Sequence, residues 1–377
     1  MTPPQPSESP PAAGSGTSGL RRFARQISLP GFGPAAQQKL ADASVLCLGA
    51  GGLGCPALLH LAAAGVGHLV IVDDDEVALS NLHRQTLFSE ADVGRPKAEA
   101  AADRLRALHS ALRITIVRDR FRAANAMALA RDCHVIVDGT DNFETRYLSS
   151  DVACWLGIPN VYGAVSRCEG QLSVFHPAAG GPCYRCMFPH PPPLGSTPTC
   201  AETGVLGTVT GLIGTLQASE TIKLLTGLGS PLTGQLFHCD LLTMQTRTLQ
   251  LRRDPHCPVC SQSPSLHQPA DTPSSCQLPP APAPIRPADF HAALQQPHVT
   301  ILDVREPWEV ALAPFAHTTT AIPASHLPDA ASSLPRHHRI IAICSLGPRS
   351  AHAAATLQQS GFPSATYLAG GIDALPD

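Results

Sequence analysis

One stretch constrains the fold more than any other: SVLCLGAGGLG, Ser44 to Gly54. An apolar run ends in glycines that stand in GxGxxG register at Gly49, Gly51 and Gly54, with Gly52 between them. A strand that runs straight into such a loop opens a nucleotide-binding βαβ unit. Glycines let backbone N–H groups approach a phosphate, and the N-terminus of the following helix favours its charge. Two more apolar runs, HLVIVDDD and CHVIVDGTDN, read as strands. Continuous Val/Ile/Leu runs fit strands buried on both faces of a mostly parallel sheet. From Arg21 onwards such runs alternate with helical stretches, which gives an α/β, Rossmann-like domain.

The 377 residues leave room for a second domain. Residues 1–20, rich in Pro, Ser and Gly, read as a disordered tail without the basic and apolar regions of a signal peptide. The first domain is expected over 21–260, a Pro/Ser-rich linker over 261–287, and a small α/β domain over 288–377. The longest apolar stretch, GVLGTVTGLIGTLQASETIKLL, is broken by Thr, Gln, Ser and Glu and suits a buried helix, not a membrane span. A net charge of -3 gives no reason to expect nucleic acid or an anionic membrane as partner. Thirteen cysteines without a secretory signal point to a reducing cytoplasm.

Asp73, at the end of the second strand, is placed to accept ribose hydroxyls. The glycine fingerprint by itself fits NAD as well as ATP, so other residues decide. SNLHRQ supplies Asn81 and Arg84, with Ser80, Leu82 and His83 beside them; GRPK supplies Lys97; DGTDN supplies Asp141 and Asn142. Lys and Arg are useful where charge develops on a triphosphate, and a carboxylate at a strand end can hold Mg²⁺. This set favours ATP. The competing reading is an NAD(P)-binding oxidoreductase with an appended redox or sulfur-binding module, which predicts nicotinamide binding and no pyrophosphate release.

The motifs RFARQISLPGFG, GAGGLGCP, LSNLHRQTLF, VGRPKAEAA, DGTDN, EGQLSVF and GPCYRCMFP follow one another in that order. With them, the stretch from Arg21 to Cys260 closely resembles the MoeB/ThiF adenylyltransferases, relatives of the ubiquitin-activating enzymes.

PCYRC and HCPVC carry two CxxC pairs, Cys183 with Cys186 and Cys257 with Cys260. Four thiolates make a closed tetrahedral zinc site with no open position, so the metal would be structural. It would pin the end of the first domain onto its middle, and the resemblance implies the same role. Cys200 lies in STPTCAETGVLG ahead of an expected helix. The resemblance implies that this cysteine forms a thioester or acyl disulfide with the activated carboxyl group. Cys47, Cys55, Cys133, Cys154 and Cys168 sit in or beside apolar runs and read as small core residues. Cys239 and Cys276 carry no signal.

IIAICSLGPRSAHAAATLQQSG reads as a strand, a short loop and an amphipathic helix. The six residues from Cys344 to Arg349 form a loop whose N–H groups converge on the sulfur, and the helix N-terminus and Arg349 favour the thiolate. Such a nucleophile can take sulfane sulfur as a persulfide. With ILDVREPWE upstream and YLAGGIDAL downstream, residues 288–377 resemble a rhodanese domain. Ser345 stands where many rhodaneses carry a basic residue, so thiosulfate is expected to be a poor donor. Asp303 and Arg305 are expected to bond within the domain.

The joined arrangement resembles the MoeZ-type proteins and the molybdenum-cofactor sulfurylases. It implies ATP and Mg²⁺ at the glycine loop, with Arg84, Lys97 and Asp141 handling the phosphates. Its substrate would be a ubiquitin-like sulfur carrier ending in Gly-Gly, of the MoaD or ThiS kind. A donor such as a cysteine desulfurase would load Cys344. The matching arginine in the family, here Arg25, reaches the partner subunit's site, which implies a homodimer. Molybdopterin, thiamine and cysteine biosynthesis all remain open as the pathway. A non-catalytic sulfur-binding scaffold is disfavoured by the retained Arg84, Asp141 and Cys344.

Overall fold

The computed structural model describes residues 21–191, 204–271, 282–345 and 347–375. The chain divides into two compact units, with the change-over between 271 and 282.

The first unit is built on an eight-stranded sheet in the order β3-β2-β1-β4-β5-β6-β7-β8. Its strands are β1 (Ser44–Leu48), β2 (His68–Val72), β3 (Arg113–Val117), β4 (Val135–Asp138), β5 (Asn160–Ser166), β6 (Glu169–Phe175), β7 (Gln235–Asp240) and β8 (Gln245–Gln250). β1 to β5 run parallel, and β6 to β8 continue the sheet antiparallel. The helices are α1 (Ala24–Ile27), α2 (Gly33–Asp42), α3 (Gly54–Ala64), α4 (Lys97–Leu108), α5 (Ala123–Ala130), α6 (Phe143–Leu156), α7 (Tyr184–Met187) and α8 (Gly207–Thr226).

Every residue of β1 is buried, because successive side chains serve opposite cores. Val45 and Cys47 pack with Leu40, Leu58, Leu61, Ala101 and Ala218, drawn from α2, α3, α4 and α8. Leu46 and Leu48 pack with Ala126, Ala130, Leu148 and Val152 from α5 and α6. The strand order reverses direction between β1 and β4, and that switch point is where α/β sheets open a crevice for ligands. The long apolar stretch forms α8, which packs on the sheet; no helix among the described residues is long and apolar enough to cross a membrane.

The second unit is a four-stranded parallel sheet, order β10-β9-β11-β12, from β9 (Val299–Asp303), β10 (Thr320–Ala321), β11 (Arg339–Ile343) and β12 (Thr366–Tyr367). Among the described residues four helices accompany it: α9 (Pro287–Leu294), α10 (Pro307–Leu312), α11 (Leu327–Ala330) and α12 (Pro348–Gln359). Asp303 and Arg305 are fully buried, and Arg305 donates to the Asp303 carboxylate from Nε and Nη2 at 3.0 and 2.7 Å.

One expectation needs correction, that on the cysteines; the ends of the expected linker carry bonds of their own. Part of the expected linker is fixed to the first unit: the Trp155 indole donates to the Leu266 carbonyl, and Ala123 N–H donates to the Asp271 carboxylate. The second unit likewise begins before Ala288, since Ile285 N–H bonds the Tyr367 carbonyl and Thr366 bonds that of Ala283. Among the cysteines read as core, Cys47, Cys55 and Cys133 are buried, but Cys154 and Cys168 are half-buried. Cys154 borders the four-cysteine cluster, and Cys168 occupies the β5–β6 turn.

The glycine loop spans the tightest backbone contact at the switch point. A Cβ at Gly54 would stand 1.9 Å from the Gly49 carbonyl oxygen, and Gly49 itself has φ of +83°. Gly54→Ala must therefore shift the loop or the helix. It is expected to lower the melting temperature of the first unit by about 4–8 °C and abolish nucleotide binding. Unchanged melting and binding would show that the loop does not depend on this contact.

Candidate functional site

A cavity of about 260 Å³ opens at the carboxyl ends of β1, β2 and β4. The elements explain its lining. The turn after β1 brings Gly49, Gly51 and Gly52; the end of β2 brings Asp73; the 3₁₀ turn Leu79–Asn81 brings Asn81 and, next to it, Arg84. Lys97 opens α4, and the loop after β4 brings Asp141 and Asn142. Four residues expected at the nucleotide stand outside this lining. Gly54 begins α3 behind the loop, and Leu82 packs on the hydrophobic core. Ser80 and His83 hold Arg84 instead: its Nη1 is 3.1 Å from the Ser80 carbonyl and 2.8 Å from His83 Nε2.

The charges of the cavity are fixed by named contacts. Lys97 is buried, and its ammonium donates to Asp75 at 2.8 Å. Arg120 donates to Asp74 at 2.9 Å. Asp73 accepts from Ala50 N–H at 2.7 Å, tying the glycine loop to β2. Burial pushes its carboxyl up from the ordinary value, an effect opposed by that N–H and by Lys97. Asn142 caps α6 by accepting from Thr145 N–H at 2.9 Å. Asp141 is exposed to the cavity and makes no hydrogen bond among the described residues. Gln85, 3% exposed, lines the cavity with its side-chain oxygen unpartnered. This unpartnered acceptor fits a hydrogen-bond donor on a ligand, while the glycine N–H groups and cations of the same lining fit an anionic part of it.

Sequence reasoning passed over Asp74, Asp75, Asp119, Arg120, Phe121 and Gln85. The triple Asp at the end of HLVIVDDD was the available signal for the first two, since acids there face the same crevice as Asp73.

Beside this cavity lies Asp138, 1% exposed, whose carboxylate accepts from Thr140 N–H, the Thr140 hydroxyl and the Ser149 hydroxyl at 3.1, 2.6 and 2.8 Å. Gln217 of α8 donates to the Asp138 carbonyl at 2.6 Å and to that of Val161 at 3.1 Å. This buried network holds the loop from which Asp141 projects.

The two CxxC pairs come together. The sulfurs of Cys183, Cys186, Cys257 and Cys260 all lie within 4.8 Å of one another, with close approaches of 3.3, 3.4 and 3.8 Å. Tetrahedral zinc with bonds of about 2.3 Å would separate its sulfurs by roughly 3.8 Å, so the arrangement fits that metal. Arg185, inside the first pair, forms a two-pronged ion pair with buried Asp151. Cys154 packs against the cluster, and burial pushes its thiol up to about 11.

In the second unit Cys344 follows β11 and is buried at the start of the loop to α12. Gly347 N–H donates to its sulfur at 3.1 Å, and the Ser350 hydroxyl oxygen lies 3.4 Å away. Arg349 is held by Glu309, both of its terminal nitrogens lying 2.6 Å from the carboxylate. Arg25, on α1, is exposed and is not part of the nucleotide cavity of its own chain. Cys200 and Cys276 lie outside the described residues.

Comparison with known proteins agrees with this layout. The ThiF family model matches residues 23–259 and the Rhodanese-like domain model matches 286–375. A sulfur carrier protein adenylyltransferase of Thermus thermophilus is 46% identical over 263 residues, 69% of this chain and 97% of the relative. A probable adenylyltransferase/sulfurtransferase MoeZ of Mycobacterium tuberculosis is 38% identical over 96% of this chain and 94% of its own. The adenylyltransferase and sulfurtransferase MOCS3-1 of Zea mays is 38% identical over 94% and 81%. Among solved structures, Escherichia coli MccB with MccA-N7isoASN superposes with a TM-score of 0.58 at 21% identity, over 64% of this chain and 75% of that one, a likeness of fold. A nucleotide-type switch-point cavity in one unit, a loop-bound cysteine in the other, and these matches over almost the whole length lead to one assignment: the chain belongs to the ThiF family and carries a rhodanese-like domain after its ThiF domain.

Proposed function

We propose that this enzyme adenylates the C-terminal glycine of a ubiquitin-like sulfur carrier and then converts it to a thiocarboxylate. The observation that carries the reading is the combination, in one chain, of a switch-point cavity holding Arg84, Lys97 and a free Asp141 with a cysteine whose sulfur receives a loop N–H. ATP would lie along the glycine loop with its ribose at Asp73. Arg84 and Lys97 would neutralise the phosphates while the carrier's carboxylate attacks the α-phosphate and pyrophosphate leaves. Mg²⁺, with Asp141 as its ligand, would add positive charge to the triphosphate. A persulfide on Cys344 then attacks the acyl carbon and AMP departs. For the thiol that frees the thiocarboxylate we propose Cys200, and for the sulfur donor a cysteine desulfurase. Arg25 completing the site of a second copy, in a homodimer, belongs to the same reading. Molybdenum-cofactor synthesis is the pathway this arrangement favours, in the cytoplasm, where free thiols and a persulfide persist. Residues 21–260 would form the adenylating domain, 261–287 the linker and 288–377 the rhodanese domain.

For the four cysteines we propose structural zinc. Purified protein should carry about one zinc per chain, and Cys183→Ser should lose it and melt at a lower temperature, because metal binding is folding energy in such a site. Metal-free protein that melts and reacts like the loaded form would defeat the assignment.

ATP–pyrophosphate exchange with a purified carrier tests the chemistry. Asp141→Ala should reduce exchange at least about a hundredfold, while sulfur loading of Cys344 continues. Cys344→Ala should exchange normally and lose sulfur transfer. After treatment with a persulfide donor, mass spectrometry should find about 32 Da, one sulfur atom, on the Cys344 peptide. That mass on the Cys200 peptide alone would reverse the roles of the two cysteines.

A further inference from the structure

Gln85 stands in the wall of the nucleotide cavity, and nothing in the reading above uses it. It is 3% exposed, and its side-chain oxygen is buried with no hydrogen-bond partner. An amide oxygen shut away from water without a donor is costly, and a ligand that brings an N–H or O–H removes that cost. The terminal torsion of a glutamine is broad, so the oxygen turns readily towards such a group.

The placement narrows the donor. The ends of β2 and β3 bring Asp73 and Phe121 to one side of the cavity, while β5 and the start of α8 bring Val165 and Thr210 to the other. Gln85 belongs with the second side. A Cβ on Gly207, the first residue of α8, would meet the His83 carbonyl at 2.3 Å and the Arg84 Cα at 3.4 Å. The helix therefore starts directly against the segment that carries Gln85. The carboxamide also reaches the glycine loop, its Nε2 lying 3.8 Å from where a Cβ on Gly51 would stand.

Few groups of the reaction can donate there. ATP carries its donors on the ribose and the base, on the Asp73 side, and its ionised phosphates only accept. The second substrate offers the N–H of its last peptide bond, two bonds from the carbon of the attacking carboxylate. We infer that the Gln85 side-chain oxygen accepts from the N–H of the carrier's C-terminal glycine and holds the tail with its carboxylate towards the α-phosphate. This rests on the adenylation reading above.

The test uses the full chain in ATP–pyrophosphate exchange with two purified carriers. One is a ubiquitin-like protein ending in Gly-Gly. The other is the same protein made by semisynthesis with glycolate as its last unit, which keeps the terminal carboxylate and replaces one N–H by an ester oxygen. With the wild-type protein the ester should raise the carrier KM about three- to tenfold, the effect of one hydrogen bond. Gln85→Met keeps the length of the side chain and removes its oxygen, and it should raise the KM for the peptide carrier by a similar factor. The two losses should not add, so the variant should distinguish the carriers by less than about twofold. The ATP dissociation constant of the variant, measured by calorimetry without carrier, should stay within about twofold. Equal KM values for the two carriers with the wild-type protein overturn the inference, and so do losses that add. An ATP affinity that weakens as much as the carrier KM also overturns it, because Gln85 would then serve the nucleotide or the glycine loop. Should Gln85→Met not fold, the two carriers compared on the wild-type protein decide. Exchange by the wild-type protein with the peptide carrier upholds the adenylation reading whatever Gln85 does, whereas its absence removes both.

Discussion

Where β1 and β4 end side by side, three glycines bring the backbone of two loops and a helix into contact, and the rest of the first unit is arranged around that contact. Leu48 pairs with Asp138 across the two strands. Just beyond, a Cβ on Gly139 would stand 3.0 Å from the Gly54 nitrogen, and one on Gly54 would collide with the Gly49 carbonyl. With hydrogens in place of methyl groups, the glycine loop lies flat against the loop that carries Asp141. The N–H groups of one and the carboxylate of the other then border a single cavity. The same device seats α8 from behind: Gly207 and Gly214 leave no room for a Cβ against the carbonyls of His83 and Leu53. A helix so close can reach the sheet with its side chains, and Gln217 does, bonding the backbone of β4 and β5.

That closeness has a polar consequence. Asp138 is a buried carboxylate with no ion pair among the described residues, and leaving any of its lone pairs empty would cost about 1–3 kcal/mol, more for a charge. Thr140, Ser149 and the local backbone fill them, and Asn160 in turn donates to Ser149. The network spends its donors on Asp138 and none on Asp141. One acid is thus locked as a support while its neighbour three residues on stays free for a ligand. Their division of labour comes from depth in the fold and not from residue type.

Much of this was legible in the sequence, and the boundary of legibility is physical. β1, β2 and β4 announce themselves because burial on both faces demands unbroken apolar runs, and the glycine loop because only glycine tolerates its contacts. The paired CxxC motifs gave the four-sulfur cluster because each pair already sets two ligands on one turn. β8 gave no such sign: QTRTLQ is exposed throughout, so nothing in its pattern records that it extends the sheet. The partners of Arg349 and Arg146 were equally hidden. Glu309 lies 40 positions from Arg349, and Arg146 comes over the Tyr162 ring only once the chain is folded. The bonds at the start of the expected linker were hidden for a related reason, since its composition is polar while its bonds to Trp155 and Ala123 run through backbone atoms and one Asp, which composition does not register.

The two units hold sulfur in opposite ways, and this bears on why one chain can use cysteine both as a fastener and as a reagent. In the cluster, four sulfurs crowd one another at distances that suit a shared cation, and a metal bound there would draw their electron pairs inward and withdraw them from chemistry. Cys344 has no sulfur neighbour among the described residues of its unit. What faces it is a loop N–H, a hydroxyl and, further out, an arginine whose charge is balanced by Glu309. One loop N–H donates to the sulfur, while the Ser350 oxygen accepts from the thiol and donates to the Gly347 carbonyl, so the thiol is held without being captured and keeps a lone pair able to attack sulfur. The switch-point cavity does the reverse, with cations fixed by acids such as Lys97 on Asp75, and a phosphate group held there would lose nothing by their rigidity because its charge would always be in the same place. Rigid charges in one unit and a lightly held thiol in the other are different demands on packing, and separate hydrophobic cores let each be met without compromise.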